Sequence, residues 1–439
     1  MSSLSTDRPA LTPAATAAAT RMVAMVPLVA YAVLAQLDAI GNRLSGNLPI
    51  GTTELTLAAL LGTTMLLFLV PAPPPLHASH TGARLMAAMF CWAVFSWTLS
   101  EHRSEGADYL KTLAIALLPA LCLFVIVDTP AKMRWLLWSM IGAGAVSAAI
   151  VVVEQRTGTR IVSTSVAATT AGFEGVARSA GGSDQNPTTA AQMLLVSVLL
   201  AGGWLFAGKR RALGKVPARP LLAGVVAIGV LALVFTSARS ALIGLMAGAG
   251  IIALSYRRER FFPLLVVCGA VAMIGAIPFL PPTLVDRFTA IGDFAQDQTL
   301  YRRITYLRIG GDLASQSPIW GIGPGNFPLY YVTDVYRWMP GREPFPRELH
   351  NTYLDALTEY GAVGFLLFAG TLGYALLSAW RACQSPRPEL ARLGLAAGVA
   401  LVGLLVACFF MPHKNLRYLW LLVAIAIQCG RLRANEEPT

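Results

Sequence analysis

Three short segments hold the residues whose types and spacing suit chemistry. In TSARSALIGL (236–245), Arg239 stands where one apolar run ends and the next begins, with almost no loop between them. A guanidinium there can snorkel toward headgroups, or it can be a fixed cation for an anionic headgroup. In YRRITYLRIGGDLASQSPIWGIGPGNF (301–327), Arg302 and Arg303 offer planar forks suited to phosphate, and Gly321, Gly323 and Gly325 alternate. Such glycines form a turn, or they bring backbone N–H groups close to a phosphate or sugar. No Gly-Lys-Ser/Thr follows, so this is not a nucleotide P-loop. In ELHNTYLDALTEYGAVGFLLF (348–368), His350 and Asn351 open a helix whose face carries Leu354 and Leu357. An imidazole with an ordinary pKa near 6.5 suits general-base work. Asp355 and Glu359 fall in the early turns, where acids also complement the helix dipole.

The elements that must position these residues are set by composition. The chain is 55% hydrophobic and only 13% charged, against roughly 25% charged in a soluble domain. A spanning helix needs about 20 mostly apolar residues. Candidates lie near 22–38, 54–70, 84–99, 109–127, 134–153, 187–206, 220–236, 239–255, 261–278, 352–380, 390–411 and 416–430. Burying so many segments in a soluble core would leave almost no polar surface. The expected fold is therefore an all-α polytopic membrane protein of about 12 transmembrane helices, with a long, partly helical periplasmic loop before the third-last helix. The expected division is a disordered cytoplasmic tail (1–21), helices 1–9 (22–278), the large loop (279–350), helices 10–12 (351–430) and a cytoplasmic tail (431–439). The Ala/Thr run near the start precedes the first apolar stretch, so no signal cleavage is expected.

Lys and Arg in short loops give the orientation. Lys132 and Arg134, the 209–219 cluster, Arg257 to Arg260, Arg381 to Arg392, and Arg431 with Arg433 all fall on one side if there are twelve spans. That side, holding both termini, is expected to be the cytoplasm. The formal net charge of +11 is then mostly this bias plus affinity for anionic lipids, and not a sign of nucleic-acid binding. The six cysteines lie in apolar spans or near their ends and contain no C-x-x-C, so they read as packing residues. Two outward segments are longer than connections need: 154–186, with Arg178, and 279–350, with seven Arg and no Lys. Within the second, 299–315 has helical periodicity, with Tyr301, Ile304, Thr305, Arg308 and Ile309 as a plausible face for a helix along the membrane surface.

Taken together and in order, these segments resemble the O-antigen ligase/polymerase superfamily over about 236–368. The resemblance rests on Thr236 to Ser240, on Arg302 with Tyr306, on Pro318 to Phe327, and on His350 to Gly364. Upstream, Arg178, Gly181, Asn186 and Pro187 are similar to the family's R-x-x-G…N-P segment. Tyr306 stands where family members usually carry Trp, and Thr188 where they carry Asn. The resemblance implies an O-antigen ligase at the inner membrane, with its active site at the periplasmic face. Its donor would be undecaprenyl diphosphate-linked O-antigen and its acceptor lipid A–core. His350 would be the general base, and Arg239 and Arg302 would stabilise the diphosphate. Arg178, Arg303, Asn351, Gly323 and Gly325 would bind substrate. No metal or other cofactor is expected, and transfer would invert the anomeric centre.

Two other readings compete. A polymerase of the same superfamily would join repeat to repeat with the same donor chemistry, and a relative that glycosylates protein Ser/Thr is a weaker variant. A transporter or flippase would show ionisable residues or repeated broken helices near the midplane. Most spans here have clean middles and no convincing repeat appears.

Overall fold

The computed structural model describes residues 13–44, 51–69, 81–162, 178–206, 219–255 and 298–434, with scattered residues between 164 and 169 and between 257 and 267. Most of the expected span at 261–278, the first part of the large loop and most of both tails lie outside the described residues.

Helices occur at the other eleven expected positions. The described helices begin with α1 (Pro13–Leu34), the short α2 (Asp38–Leu44), α3 (Thr52–Leu69), α4 (Thr81–Thr98), α5 (Arg103–Ile126), α6 (Pro130–Thr157) and α7 (Pro187–Phe206). They continue with α8 (Arg219–Phe235), α9 (Arg239–Ser255), α10 (Gln298–Gln316), α11 (Phe327–Tyr331), α12 (Thr352–Cys383), α13 (Pro388–Ala407) and α14 (Arg417–Ala434). No strand is found among the described residues. Among the described residues, six helical segments are long and apolar enough to cross a membrane: Thr52–Leu69, Arg103–Ile126, Pro130–Thr157, Pro187–Phe206, Thr352–Cys383 and Pro388–Phe410. Ala19–Leu34, Arg219–Phe235 and Arg239–Ser255 are apolar but shorter.

The centre of the bundle is α7, α13 and α14, whose residues are buried nearly all round. Peripheral helices turn large apolar side chains outward, including Met65, Leu69, Trp135, Leu366 and Trp380. Apolar surface that extensive fits a hydrocarbon solvent. Among the described residues, Arg134, Arg381, Arg431 and Arg433, which the charge pattern assigns to one side, are tied to neighbouring helix ends. Arg134 pairs with Glu389, Arg431 donates to the Phe124 carbonyl at 3.0 Å, and Arg433 bonds the Arg381 carbonyl.

The opposite end carries the loop fold. Helix α10 appears where periodicity placed it, but its buried stripe is shifted. Thr305, Tyr306, Ile309, Gly310, Leu313 and Ala314 face inward, whereas Tyr301 and Arg308 are exposed. The inward stripe builds a small satellite core with Ile322, Phe327, Tyr331, Tyr336 and Leu349. The partners of this helix are therefore the rest of its own loop and α12, whose Thr358 hydroxyl donates to the Gly310 carbonyl at 3.0 Å.

Helix α12 is interrupted at Gly361, whose φ of 66° and ψ of −175° are not helical. Interruption frees backbone groups that hydrocarbon cannot satisfy. The segment 318–325 supplies the partners. Ile322 N–H donates to the Thr358 carbonyl at 3.0 Å, Gly323 N–H to the Glu359 carbonyl at 3.1 Å, and Ala362 N–H to the Pro318 carbonyl at 2.8 Å. From α4, Trp92 donates to the Tyr360 carbonyl at 2.8 Å and Ser96 to the Trp320 carbonyl at 2.6 Å. A Cβ on Gly361 would stand 2.2 Å from the Ile319 carbonyl oxygen, so only glycine allows this approach.

Candidate functional site

His350 sits immediately before α12, and Asn351 caps that helix. The Asn351 side-chain oxygen accepts from the Tyr353 and Leu354 amides, both at 3.0 Å. This is the N-cap arrangement that Asn favours, and it fixes where His350 projects. The His350 ring lies 5.3 Å, centroid to centroid, from Tyr306 on α10. His350 as a whole is half-buried, yet its Nδ1 is shielded and has no hydrogen-bond partner among the described residues. Burial, with the Arg303 and Arg347 cations nearby, pushes the imidazole down to about 4. The ring is therefore neutral at pH 7, which is the state a base must start from.

The two adjacent arginines part company. Arg302 pairs with Glu343 through Nε at 3.1 Å, and Arg347 reaches the other oxygen of the same carboxylate at 2.6 Å. Arg303 instead stands over the Phe410 ring at 5.7 Å and within electrostatic reach of His350. Arg303 and Arg347 are thus the cations that His350 feels.

Arg239 opens α9 after a tight turn in which Ser237 adopts a φ of 52°. The next residue, Ser240, accepts at 2.7 Å from the side-chain nitrogen of Gln192 on α7. The oxygen of Gln192 meets the Nε2 of His413. The backbone N–H of His413 donates at 2.9 Å to the Thr352 hydroxyl, two residues beyond His350. A continuous polar path therefore joins the turn bearing Arg239 to the start of α12. Burial pushes His413 down to about 3, so it too is neutral at pH 7.

The turn from 408 to 416, between α13 and α14, is the hub of the site, and the sequence reading missed it. It contributes Phe410 under Arg303, the Met411 carbonyl to Thr352 at 2.6 Å, and His413 to Gln192. It also contributes Lys414, which is 2% exposed and pairs with Asp355 at 2.7 Å and with Glu359. One signal was available: a His-Lys pair on the side that positive charge avoids, in a chain with few lysines.

Glu359 explains the glycines. Its carboxylate accepts from the Gly325 amide at 2.5 Å and the Phe327 amide at 3.2 Å, while its backbone carbonyl takes the Gly323 amide. The amides of Gly323 and Gly325 are turned toward the protein and spent on α12. They fasten the loop and do not face a ligand in this arrangement. Arg178 is held elsewhere, by a 3.1 Å bond from Nη2 to the Thr188 hydroxyl just inside α7. Beside it, Ser179 donates at 2.6 Å to the buried carboxylate of Glu154.

Residues 224–369, which contain Arg239, Arg303, His350 and the glycine loop, match the O-antigen ligase family model. The chain carries an O-antigen ligase family segment. No curated protein matches the chain. The match spans 146 of the chain's 439 residues. The matched segment holds His350, Arg239, Arg302, Arg303 and Arg347, whereas Arg178, Gln192, His413 and Lys414 lie on either side of it, with Gln192 on α7 and His413 and Lys414 in the turn between α13 and α14.

Proposed function

We propose that this protein is an O-antigen ligase. It would move O-antigen polysaccharide from undecaprenyl diphosphate to lipid A–core, at the periplasmic face of a bacterial inner membrane crossed by about twelve helices. The observation that carries the reading is a neutral His350, with a buried and unpartnered Nδ1, set among Arg303 and Arg347 at the end of the ligase-family segment. The side to which the charge pattern assigns Lys132, Arg134, Arg381, Arg431 and Arg433 is read as cytoplasmic, which leaves His350 outside.

The reaction is a single displacement. The acceptor hydroxyl oxygen attacks the anomeric carbon, its proton passes to His350, and the bond from that carbon to the diphosphate oxygen breaks. The configuration inverts, and undecaprenyl diphosphate leaves with its charge held by Arg239 and Arg303. Cations aimed at the leaving group act where negative charge develops, which is where they lower the barrier most. Arg302 completes the cationic set once it releases Glu343, which it shares with Arg347. Asn351 fixes the imidazole through the cap, and Gly323 and Gly325 hold the loop that covers it. Binding energy for the long lipid and glycan portions positions the reacting atoms.

Deletion in the host tests ligase against polymerase. Loss of a ligase leaves long chains stranded on the lipid carrier and bare core on lipid A. Single repeats appearing on the core instead would identify a polymerase and overturn the ligase reading.

A further inference from the structure

A second feature of the outer end is a polar cleft of about 310 Å³ between α1–α2, α3, α7 and α14. Its walls carry Asp38, Asn42, Glu54, Asp184, Asn415 and Arg417. It is built, not incidental. Asp38 accepts from the Ser183 hydroxyl at 3.1 Å and the Asp184 amide at 2.6 Å, which locks α2 to the chain entering α7. Arg417 reaches Glu54 at 3.3 Å. The Tyr31 hydroxyl, fully buried and within electrostatic reach of Glu54 and Arg417, has no hydrogen-bond partner among the described residues.

The cleft shares a wall with the proposed active site. The turn that gives His413 and Lys414 to the His350 side continues as Asn415, Leu416 and Arg417 in the cleft, and Gln192 of the polar path is followed by Met193 in the cleft. Its charge is opposite to that of the His350 side. Three carboxylates face a single guanidinium, so a diphosphate is repelled here. Carboxylates, side-chain amides and an Arg fork are good partners for sugar hydroxyls, each of which donates and accepts. A few polar groups converging on a concavity of this size fix the orientation of a small ligand.

We propose that this cleft is a saccharide subsite that binds an uncharged, hydroxyl-rich sugar unit of a substrate beside the cationic diphosphate site. The inference rests on glycosyl transfer as the reaction. Separation of charge then sorts the substrates: phosphate goes to the arginines, and neutral sugar goes to the carboxylates.

The test uses the full chain in lipid nanodiscs and three lipid-free probes. These are phosphate-free glycan released from the host's lipid-linked donor, phosphate-free core saccharide, and inorganic diphosphate. Binding is read by saturation-transfer NMR and titration. At least one saccharide binds the unaltered protein, and its affinity falls at least tenfold in Asp184→Asn and in Thr112→Trp, where an exposed position on the cleft rim is filled. Diphosphate binding is unchanged in both variants. Which saccharide responds assigns the cleft to donor or acceptor. Thermal unfolding of Thr112→Trp at the unaltered temperature confirms that the loss is local. The proposal is overturned if neither saccharide binds, if neither variant weakens binding, or if diphosphate binding falls in parallel. Saccharide binding that responds as expected in a protein that transfers no glycan would sink the ligase reading and leave the subsite standing.

Discussion

At the scale of single residues, protonation and charge pairing separate groups that share a residue type. His350 lies below its ordinary value because it is buried and faces Arg303 and Arg347. A lowered pKa keeps the ring neutral through pH 7, so base-competent enzyme persists on acidification and is lost as pH falls toward about 4. Removing a nearby cation lets the value rise. Arg303→Gln is therefore expected to move the acid limb of kcat/KM to higher pH, and an unmoved limb in a pH–rate profile would argue against Arg303 as a neighbour of the base. Lys414 makes a second residue-scale prediction. It is buried with Asp355 and Glu359, and stranding two carboxylates by Lys414→Met is expected to destabilise the fold by about 3–5 kcal/mol. Thermal unfolding in detergent, with unaltered protein as reference, checks this.

At the scale of elements, the fold is organised by one broken helix and the loop that repairs it. Gly361 interrupts α12, and the freed backbone groups are met by 318–325 and by Trp92 and Ser96 of α4. Gly361→Ala would place a Cβ on the Ile319 carbonyl and force a side chain into the left-handed region. A cost of about 1–3 kcal/mol is expected, with loosening of the loop that shows as faster proteolysis between α10 and α12. Unchanged cleavage would mean that the junction tolerates the atom. This junction also shows what the sequence could and could not reveal. Helical periodicity placed α10 correctly, because apolar spacing is a local property. It misplaced the buried face, because Tyr306 and Leu313 are buried by partners up to forty residues away, such as Leu349. Arg239, His350 and the glycine run were legible as candidates from residue type and order. That Glu359 would consume the amides of Gly325 and Phe327 was not, since a carboxylate early in a helix reads equally well as a dipole partner. Nor did any local pattern single out Gln192, whose pairing with His413 spans more than two hundred residues of chain.

At the scale of the whole molecule, the apolar bundle holds two polar regions of opposite charge at one end, with the 408–416 turn between them. In the proposed reaction leaving-group charge is met by arginines of fixed charge, and the segments expected to face outward have no Asp-x-Asp pair to hold a divalent ion. Turnover by purified protein is therefore expected to survive chelator, and loss of activity restored by a divalent ion would show that metal shares the work. The most direct measurement of the central claim is transfer of glycan from purified undecaprenyl diphosphate donor to purified lipid A–core in nanodiscs, by unaltered protein and by His350→Ala. A general base is worth about 10²–10⁴ in rate. The expected result is ligation by the unaltered protein and a loss of that order in the variant, with donor binding and thermal stability retained. Full ligation by His350→Ala would contradict the account.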